Sequence, residues 1–287
     1  MTIYETRQHI IKELINFYEN SEAINIAELV LENITRLQKM EQIRNKDLLI
    51  TIKQEEKLNE QINRLKKNEP VQYVLGEAWF AGLKFKVNKN VLIPRPETEE
   101  LVEWVVREAM SDELRAASII DIGTGSGCIP ISLKKKLPES TISAIDVCSE
   151  AVYTAIENAA ALETEINFKL LDFLDEGNWN QLEQYDIIIS NPPYVKQNEA
   201  LTMHPRVKEF EPQLALFVPD NDALLFYKKL ADFSLIHLNA KGSLFVEINE
   251  DLGQDVVKLF QSKGFKTIEI KKDMQGKDRM VKASLKL

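Results

Sequence analysis

Ser118-Ile119-Ile120-Asp121-Ile122-Gly123-Thr124-Gly125-Ser126-Gly127-Cys128 is the stretch that decides the fold. A short β-branched run, a glycine-rich turn and a helical pattern over 128–136 read as strand, turn and helix. Glycines at such a turn let the backbone approach a ligand closely, and the helix that follows points its free amides at it. The spacing is Gly-x-Gly-x-Gly. That is neither the Gly-x-Gly-x-x-Gly dinucleotide fingerprint nor a phosphate loop ending in Gly-Lys-Ser/Thr. Asp121, two positions before the first glycine, would repel a pyrophosphate and suits a cationic amino-acid group.

Downstream the same cadence repeats. Strand patterns at 118–122, 142–145, 166–170, 185–190, 243–248, 266–270 and 280–285 alternate with helical patterns at 128–136, 149–161, 222–238 and 252–262. This predicts an α/β domain with a mainly parallel sheet covered by helices on both faces. Asp146 ends the second strand, placed to accept both ribose hydroxyls of an adenosine. Asp172 follows the third strand and is trailed by Phe173; the carboxylate suits an adenine amino group and the ring suits its face. Together with Gly123, Thr124, Gly125, Ser126 and Gly127, these acidic strand ends predict S-adenosylmethionine as cofactor rather than a nicotinamide.

The fourth strand pattern, Tyr185-Asp186-Ile187-Ile188-Ile189-Ser190, stops at Asn191-Pro192-Pro193-Tyr194. Neither proline can donate a ladder hydrogen bond, and the first restrains the Asn before it. Asn191 is therefore held at a strand's carboxyl end, where open α/β sheets place ligands. A planar NH₂ is a poor nucleophile because its lone pair is delocalised. The Asn191 side-chain oxygen and the Pro192 carbonyl can each accept one of its hydrogens, and Tyr194 can pack on the planar group. Catalytic roles thus fall to Asn191, Pro192 and Tyr194, with substrate contacts from these and Pro193, at a nucleobase or a side-chain amide. No metal and no catalytic histidine is required; His9, His204 and His237 read as structural or exposed.

Working upstream, residues 3–67 carry apolar positions at helical spacing, among them Ile10, Ile11, Leu14, then Ile26, Leu29, Val30, Ile34, then Leu48, Leu49, Ile52, Leu58, Ile62, Leu65. Ser21 is expected to cap the second helix. Pro70 changes the texture. Val71-Gln72-Tyr73-Val74-Leu75-Gly76 and Trp79 to Val87, with a turn at Gly82, suggest a β-hairpin joining two domains. Leu92-Ile93-Pro94-Arg95-Pro96-Glu97-Thr98-Glu99 then forms an extended segment, with a helix over 101–110 beginning at Glu97 or Thr98.

The 287 residues suit two domains or one large one, and 44% apolar content is enough for a substantial core. A net charge of −9 argues against general electrostatic binding to nucleic acid. Cys128 and Cys148, without metal-ligand spacing, read as buried reduced thiols. There is no basic segment leading into an apolar core at the N-terminus and no apolar stretch near ~18 residues, so a cytoplasmic location and no membrane contact are expected.

The chain resembles the release-factor glutamine methyltransferase family over nearly its whole length. The resemblance is carried by 70–76, by the IPRPETE segment at 93–99, by Asp121 to Gly127, by Asn191-Pro192-Pro193-Tyr194-Val195, by Phe210-Glu211-Pro212 with Ala215-Leu216, and by Asp278-Arg279. It implies a Rossmann-like class I S-adenosylmethionine methyltransferase sheet of seven strands, the last antiparallel. It also implies a helical domain at 1–69 that docks the substrate, a hairpin linker at 70–93, and a catalytic domain at 94–287. The implied reaction methylates the side-chain N5 of the glutamine in the Gly-Gly-Gln motif of peptide chain release factors, modulating translation termination, with S-adenosylhomocysteine as product. Gly123 to Gly127, Asp146, Phe173 and Asn191 are the implied cofactor contacts, and Arg95-Pro96-Glu97 would lie near them. A monomer without direct nucleic-acid contact is expected. Two alternatives share the catalytic motif: a ribosomal-protein glutamine methyltransferase and an adenine-N6 nucleic-acid methyltransferase. Asn249 stands where the family commonly has glycine, and Pro219-Asp220-Asn221-Asp222 lacks its usual glycines, so both loops are expected to use the left-handed tolerance of Asn and Asp.

Overall fold

The computed structural model describes residues 1–111, 116–201 and 203–286, which cluster into two compact units. The first comprises Met1–Glu77 together with His204–Phe210. Its helices are α1 (Ile3–Leu14), α2 (Asn20–Thr35), α3 (Lys39–Arg44), α4 (Ile52–Leu65) and α5 (Val71–Leu75). Capping boxes start α1 at Thr2 and Glu5 and α4 at Thr51 and Gln54, each satisfying two backbone donors that a helix end leaves free. Ile10, Leu14, Ile26, Val30, Leu31, Leu58, Ile62 and Leu65 close the core of this unit.

Three details here depart from the sequence reading. The second helix begins at Asn20, with Glu19 rather than Ser21 at the cap position, because the Ala23 amide already bonds to the Glu19 carbonyl. Leu48, Leu49 and Ile52 are exposed, since the fourth helix starts only at the Thr51 cap and the residues before it run extended beside Thr2 and Ile3. Val71–Leu75 is a helical turn and not a strand: Pro70 opens it, and Gly76 closes it in the left-handed region with φ 74°.

The second unit comprises Ala78–Met203 and Glu211–Leu287. The hairpin is β1 (Glu77–Phe80) and β2 (Leu83–Lys86), turning on Ala81 and Gly82. Then follow α6 (Pro96–Ser111), β3 (Ser118–Ile122), α7 (Cys128–Lys136), β4 (Thr141–Asp146), α8 (Ser149–Ala161), β5 (Asn167–Leu170) and β6 (Tyr185–Ser190). The chain continues through β7 (Val195–Lys196), then α9 (Pro205–Phe210), which belongs to the first unit, and β8 (Phe217–Val218), α10 (Leu225–His237), β9 (Leu238–Glu247), α11 (Gly253–Ser262), β10 (Thr267–Lys272) and β11 (Asp278–Ser284). Pro96 occupies the first turn of α6, where a missing N–H costs nothing.

The seven-stranded sheet has the order β10-β11-β9-β6-β3-β4-β5. Its β5, β4, β3, β6 and β9 pairs are parallel, and the last strand, β11, runs antiparallel to both β9 and β10. Side chains alternate between the faces as a pleat demands. Ile120, Ile122, Ile188 and Val246 pack with Tyr227, Phe233, Val256 and Phe260 from α10 and α11. Ile119, Ile187, Ile189 and Phe245 pack with Leu101, Val105, Ile129 and Leu133 from α6 and α7. Coverage on both faces explains why these strands read as continuous apolar runs rather than alternating ones.

The strand order reverses between β3 and β6: crossovers run one way to β4 and β5 and the other way to β6 and β9. A crevice at the carboxyl ends of the strands is a consequence of that switch, because neighbouring loops diverge there.

Candidate active site

Asp121, the Gly123–Gly127 loop, Asp146, Asp172, Phe173 and Asn191–Tyr194 lie at or just beyond the carboxyl ends of β3, β4, β5 and β6. The Gly123–Gly127 loop follows β3 and is anchored by the Gly123 and Thr124 amides, which both donate to the Ile145 carbonyl of β4. Gly125 sits at φ 55° and Gly127 at φ 78°, where a side chain would strain the backbone. At Gly127 a Cβ would also press on Ala155 Cβ at 3.1 Å, so this glycine seats α7 against α8. Gly125 meets nothing within 4 Å on its open side, leaving its backbone accessible to a ligand.

Asp146 Oδ2 accepts the Gly125 amide at 2.8 Å, and its Oδ1 accepts the Cys148 amide at 2.9 Å. Each carboxylate oxygen keeps a second lone pair, so the side chain both shapes the loop and can still accept two hydroxyls. Burial raises its pKa, with the Cys148, Gly125 and Val147 amides pulling it back. Cys148, expected to be buried, is only partly so, because it lies on the turn out of β4 with its Sγ 3.4 Å from Glu150 Oε2; Cys128 is buried as read.

Asp121 is fully buried beneath the loop, and neither of its oxygens has a hydrogen-bond partner among the described residues. The Thr124 and Ser126 hydroxyls are buried and unpartnered as well. Burial pushes Asp121 up to about 7; the neighbouring Thr124 hydroxyl, short of hydrogen-bonding geometry, opposes this, and the Asp146 charge adds to it. A negative field and idle acceptors under a glycine loop suit a cationic ligand group above it. The cost falls on stability. A carboxyl whose folded pKa is raised stabilises the fold fully below its unfolded pKa of about 4, and that contribution is lost as pH rises through about 7. Asp121→Asn is therefore expected to raise the ligand-free stability at pH 8 by roughly 2–4 kcal/mol, with little change at pH 4. Thermal unfolding at the two pH values checks this, and equal shifts at both would contradict it.

Asp172 is exposed beyond β5 and accepts the Leu174 amide at 3.0 Å, leaving its other oxygen outward. The Phe173 ring lies in the core, stacked on Trp179 at 5.6 Å and edge-on to Phe233 at 5.4 Å. One of its faces is thus taken by Trp179 within a buried aromatic cluster.

At the end of β6, the Ser190 hydroxyl donates to the Ile122 carbonyl at 2.7 Å, locking the start of the Asn-Pro-Pro-Tyr turn to the end of β3. Ser190 is the last residue paired with β9, so the Pro192 carbonyl lies beyond the ladder and takes no hydrogen bond among the described residues. Asn191 Nδ2 donates to Thr98 Oγ1 at 3.0 Å, and its Oδ1 takes no hydrogen bond among the described residues. Tyr194 packs against the core with its hydroxyl 3.5 Å from Glu247 Oε1. Burial raises the Tyr194 phenol well above its ordinary value, and the Glu247 charge adds to this, so it stays neutral.

Two residues that sequence reasoning did not assign to the site complete it. Thr98 reads in the sequence as a helix start within the IPRPETE segment, and Glu247 falls inside the strand pattern at 243–248. In the structure the Thr98 hydroxyl donates to Glu247 Oε2 at 2.6 Å, and both side chains are buried. The signal available was a lone Glu closing the apolar strand Leu244-Phe245-Val246-Glu247.

The IPRPETE segment and the late Phe-Glu-Pro segment, far apart in sequence, also meet. Arg95 Nη2 pairs with the buried Glu211 Oε1 at 2.7 Å, and the Ile93 amide reaches Glu211 Oε2 at 3.4 Å. Asn249 and residues 220–222 do not adopt the left-handed conformation expected of them. Asn249 instead accepts the Asp251 amide through its side chain, and Asp220 accepts the Asn198 amide, so side chains supply the turn geometry. The described residues contain no cluster of His, Cys, Asp and Glu able to hold a metal, and none of their helices is long and apolar enough to cross a membrane.

Family models match in two places: the PrmC N-terminal domain over residues 5–76 and the methyltransferase small domain over residues 103–209. A methyltransferase from Pyrococcus furiosus shares the fold with a TM-score of 0.51 at 17% identity, covering 72% of this chain and 91% of that one. The release factor glutamine methyltransferase of Bacteroides thetaiotaomicron is 38% identical, covering 96% of this chain and 98% of its own. That of Flavobacterium psychrophilum is 42% identical over 100% of both chains. Full-length similarity at this level, spanning both family models and the strand-end loops described above, places the chain in the release factor glutamine methyltransferase family.

Proposed function

We propose that the protein transfers a methyl group from S-adenosylmethionine to the side-chain N5 of the glutamine in the Gly-Gly-Gln motif of peptide chain release factors. The observation that carries this reading is the orientation of Asn191. Its NH₂ is engaged by Thr98, which leaves its oxygen free to accept, one residue before a Pro192 carbonyl that takes no hydrogen bond among the described residues. Two acceptors at one strand end match the two hydrogens of an amide NH₂. The full-length likeness to release factor glutamine methyltransferases selects a glutamine amide over a nucleobase, and the net charge of −9 agrees.

When bound, S-adenosylmethionine supplies an electrophilic methyl on a sulfonium. The Gly123–Gly127 loop, Asp146 and Asp172 are the groups suited to hold it: idle acceptors under the loop for the cationic amino-acid end, Asp146 for the ribose hydroxyls, Asp172 for the adenine amino group. Asn191 and Pro192 hold the acceptor nitrogen by both hydrogens, which leaves its lone pair directed away from them. As positive charge grows on that nitrogen, both hydrogen bonds strengthen, so the pair favours the transition state over the ground state. Tyr194, neutral and fixed by packing, flanks the planar amide. No group in this arrangement has to take up the proton before methyl transfer.

The test is incubation of the protein with methyl-labelled S-adenosylmethionine and, in parallel, a release factor, total ribosomal proteins and adenine-containing DNA. Label is expected in the release factor. Label in ribosomal protein or DNA with the release factor untouched would defeat the proposal.

A further inference from the structure

An asparagine side chain fits its site in either of two orientations, and only one directs oxygen toward an acceptor amide. We propose that Glu247 and Thr98 are positioning residues that hold Asn191 in that orientation, Glu247 acting through the Thr98 hydroxyl, and that protonation of Glu247 releases it. This rests on the reading above, in which the Asn191 oxygen receives a substrate NH₂.

A hydroxyl has one proton to give, and an ionised carboxylate can only accept. Thr98 Oγ1 lies 2.6 Å from Glu247 Oε2, so the Thr98 proton is directed to Glu247. The Thr98 oxygen is then an acceptor, and the Asn191 atom 3.0 Å away must be the nitrogen. The chain runs Asn191 to Thr98 to Glu247 and puts Oδ1 toward the substrate. Once Glu247 carries a proton it can donate to Thr98, whose own proton turns toward Asn191. The amide is then satisfied by turning its oxygen inward, and it presents NH₂ to NH₂.

Every element packed on Glu247 contributes to its charge state. From α6 come the Thr98 hydroxyl, which favours the anion, and the Glu97 carboxylate, which opposes it. Arg279 of β11 favours the anion, itself held by Asp273 at 3.1 Å. Tyr194 approaches Oε1 from the catalytic turn, and Tyr227 of α10 donates to the Glu247 carbonyl at 3.2 Å. Burial raises the pKa of both phenols, so neither adds a competing negative charge. The Glu247 side chain, fully buried, is pushed up to about 7 by desolvation, which puts the exchange near neutral pH.

The experiment measures kcat on intact release factor with cofactor and substrate saturating, from pH 5.5 to 9. Wild type is expected to lose about tenfold per pH unit below about 7. Glu247→Gln, whose NH₂ can donate to Thr98 and turn the Thr98 proton toward Asn191, is expected to lower kcat at pH 8 by about 10- to 100-fold, flatten the acid limb and leave KM for S-adenosylmethionine within about twofold. Thr98→Val should match it, Thr98→Ser should restore most of the rate, and Thr98→Val with Glu247→Gln should be no worse than either alone. Wild-type kcat with the acid limb intact in Glu247→Gln, or equal losses in Thr98→Ser and Thr98→Val, would overturn the proposal. Should Glu247→Gln not fold, the two Thr98 variants decide alone. A second readout needs no turnover: the Asn191 side-chain amide resonances, assigned by their loss in Asn191→Ala, should titrate near pH 7 in wild type and not in Thr98→Val. A flat wild-type titration overturns the positioning role, whereas a titrating amide in a protein that leaves release factor unmethylated overturns only the substrate reading.

Discussion

Asn191→Ala is expected to lower kcat about a thousandfold while leaving cofactor affinity within a few fold, the scale on which removal of one preorganised hydrogen-bond partner to developing charge acts. Among the described residues the side chain makes one hydrogen bond, to Thr98, and its backbone is fixed independently by the Ser190 hydroxyl on Ile122 and by Pro192. Truncation therefore removes an acceptor without loosening the strand end. The amide nitrogen then meets a single acceptor, the Pro192 carbonyl, and can turn so that its lone pair leaves the line of attack. Single-turnover rates with saturating release factor, alongside calorimetric titration of S-adenosylhomocysteine, separate the two effects. A rate within tenfold of wild type would remove Asn191 from the chemistry.

Asp146→Asn is expected to weaken S-adenosylhomocysteine binding about 100-fold, or ~3 kcal/mol. The carboxylate accepts the Gly125 and Cys148 amides at 2.8 and 2.9 Å, one on each oxygen. An Asn of the same shape puts NH₂ against one of these donors, so it loses a loop contact and an acceptor for ribose together. The loss should be larger than an Asp→Asn change at a solvated position would give, because burial amplifies an unmatched donor. Calorimetry checks this directly; an affinity within threefold of wild type would show that Asp146 shapes the loop without touching the cofactor.

How far the sequence could be read follows from where its signals are local. The strands at 118–122 and 185–190 and the helices at 128–136 and 149–161 have the bounds their patterns predict: the strands stop at Gly123 and before Pro192, the first helix lies between Gly127 and Pro138, and the second is an unbroken helical stripe. Val71–Leu75 misled because five apolar-rich residues fit either a strand or one helical turn, and what decided was the Pro70 start and the Gly76 stop. Leu48, Leu49 and Ile52 continue a helical stripe on paper, yet Thr51 caps the helix after most of them.

At the site, the sequence locates the strand-end residues, since each follows an apolar run directly. It does not show what they touch. Thr98 and Glu247 come from α6 and β9, and their link to Asn191, just beyond β6, exists only once the sheet order puts β9 beside β6. The pairing of Arg95 with Glu211 is invisible for the same reason: two motifs can be recognised separately without any local signal that one neutralises the other. Phe173 is the opposite case. An aromatic after a strand-end acid invites stacking on a base, but Trp179 and Phe233, both downstream, claim the ring first.

The central claim is that the acceptor is one side-chain amide, held by Asn191 and Pro192. It is tested most directly by fragment mass spectrometry of a release factor after incubation with S-adenosylmethionine and either wild-type protein or Asn191→Ala. A single added methyl on the glutamine of the Gly-Gly-Gln motif is expected with wild type, and none in the same time with Asn191→Ala. A methyl on any other residue, or an equally methylated glutamine with the variant, would contradict it.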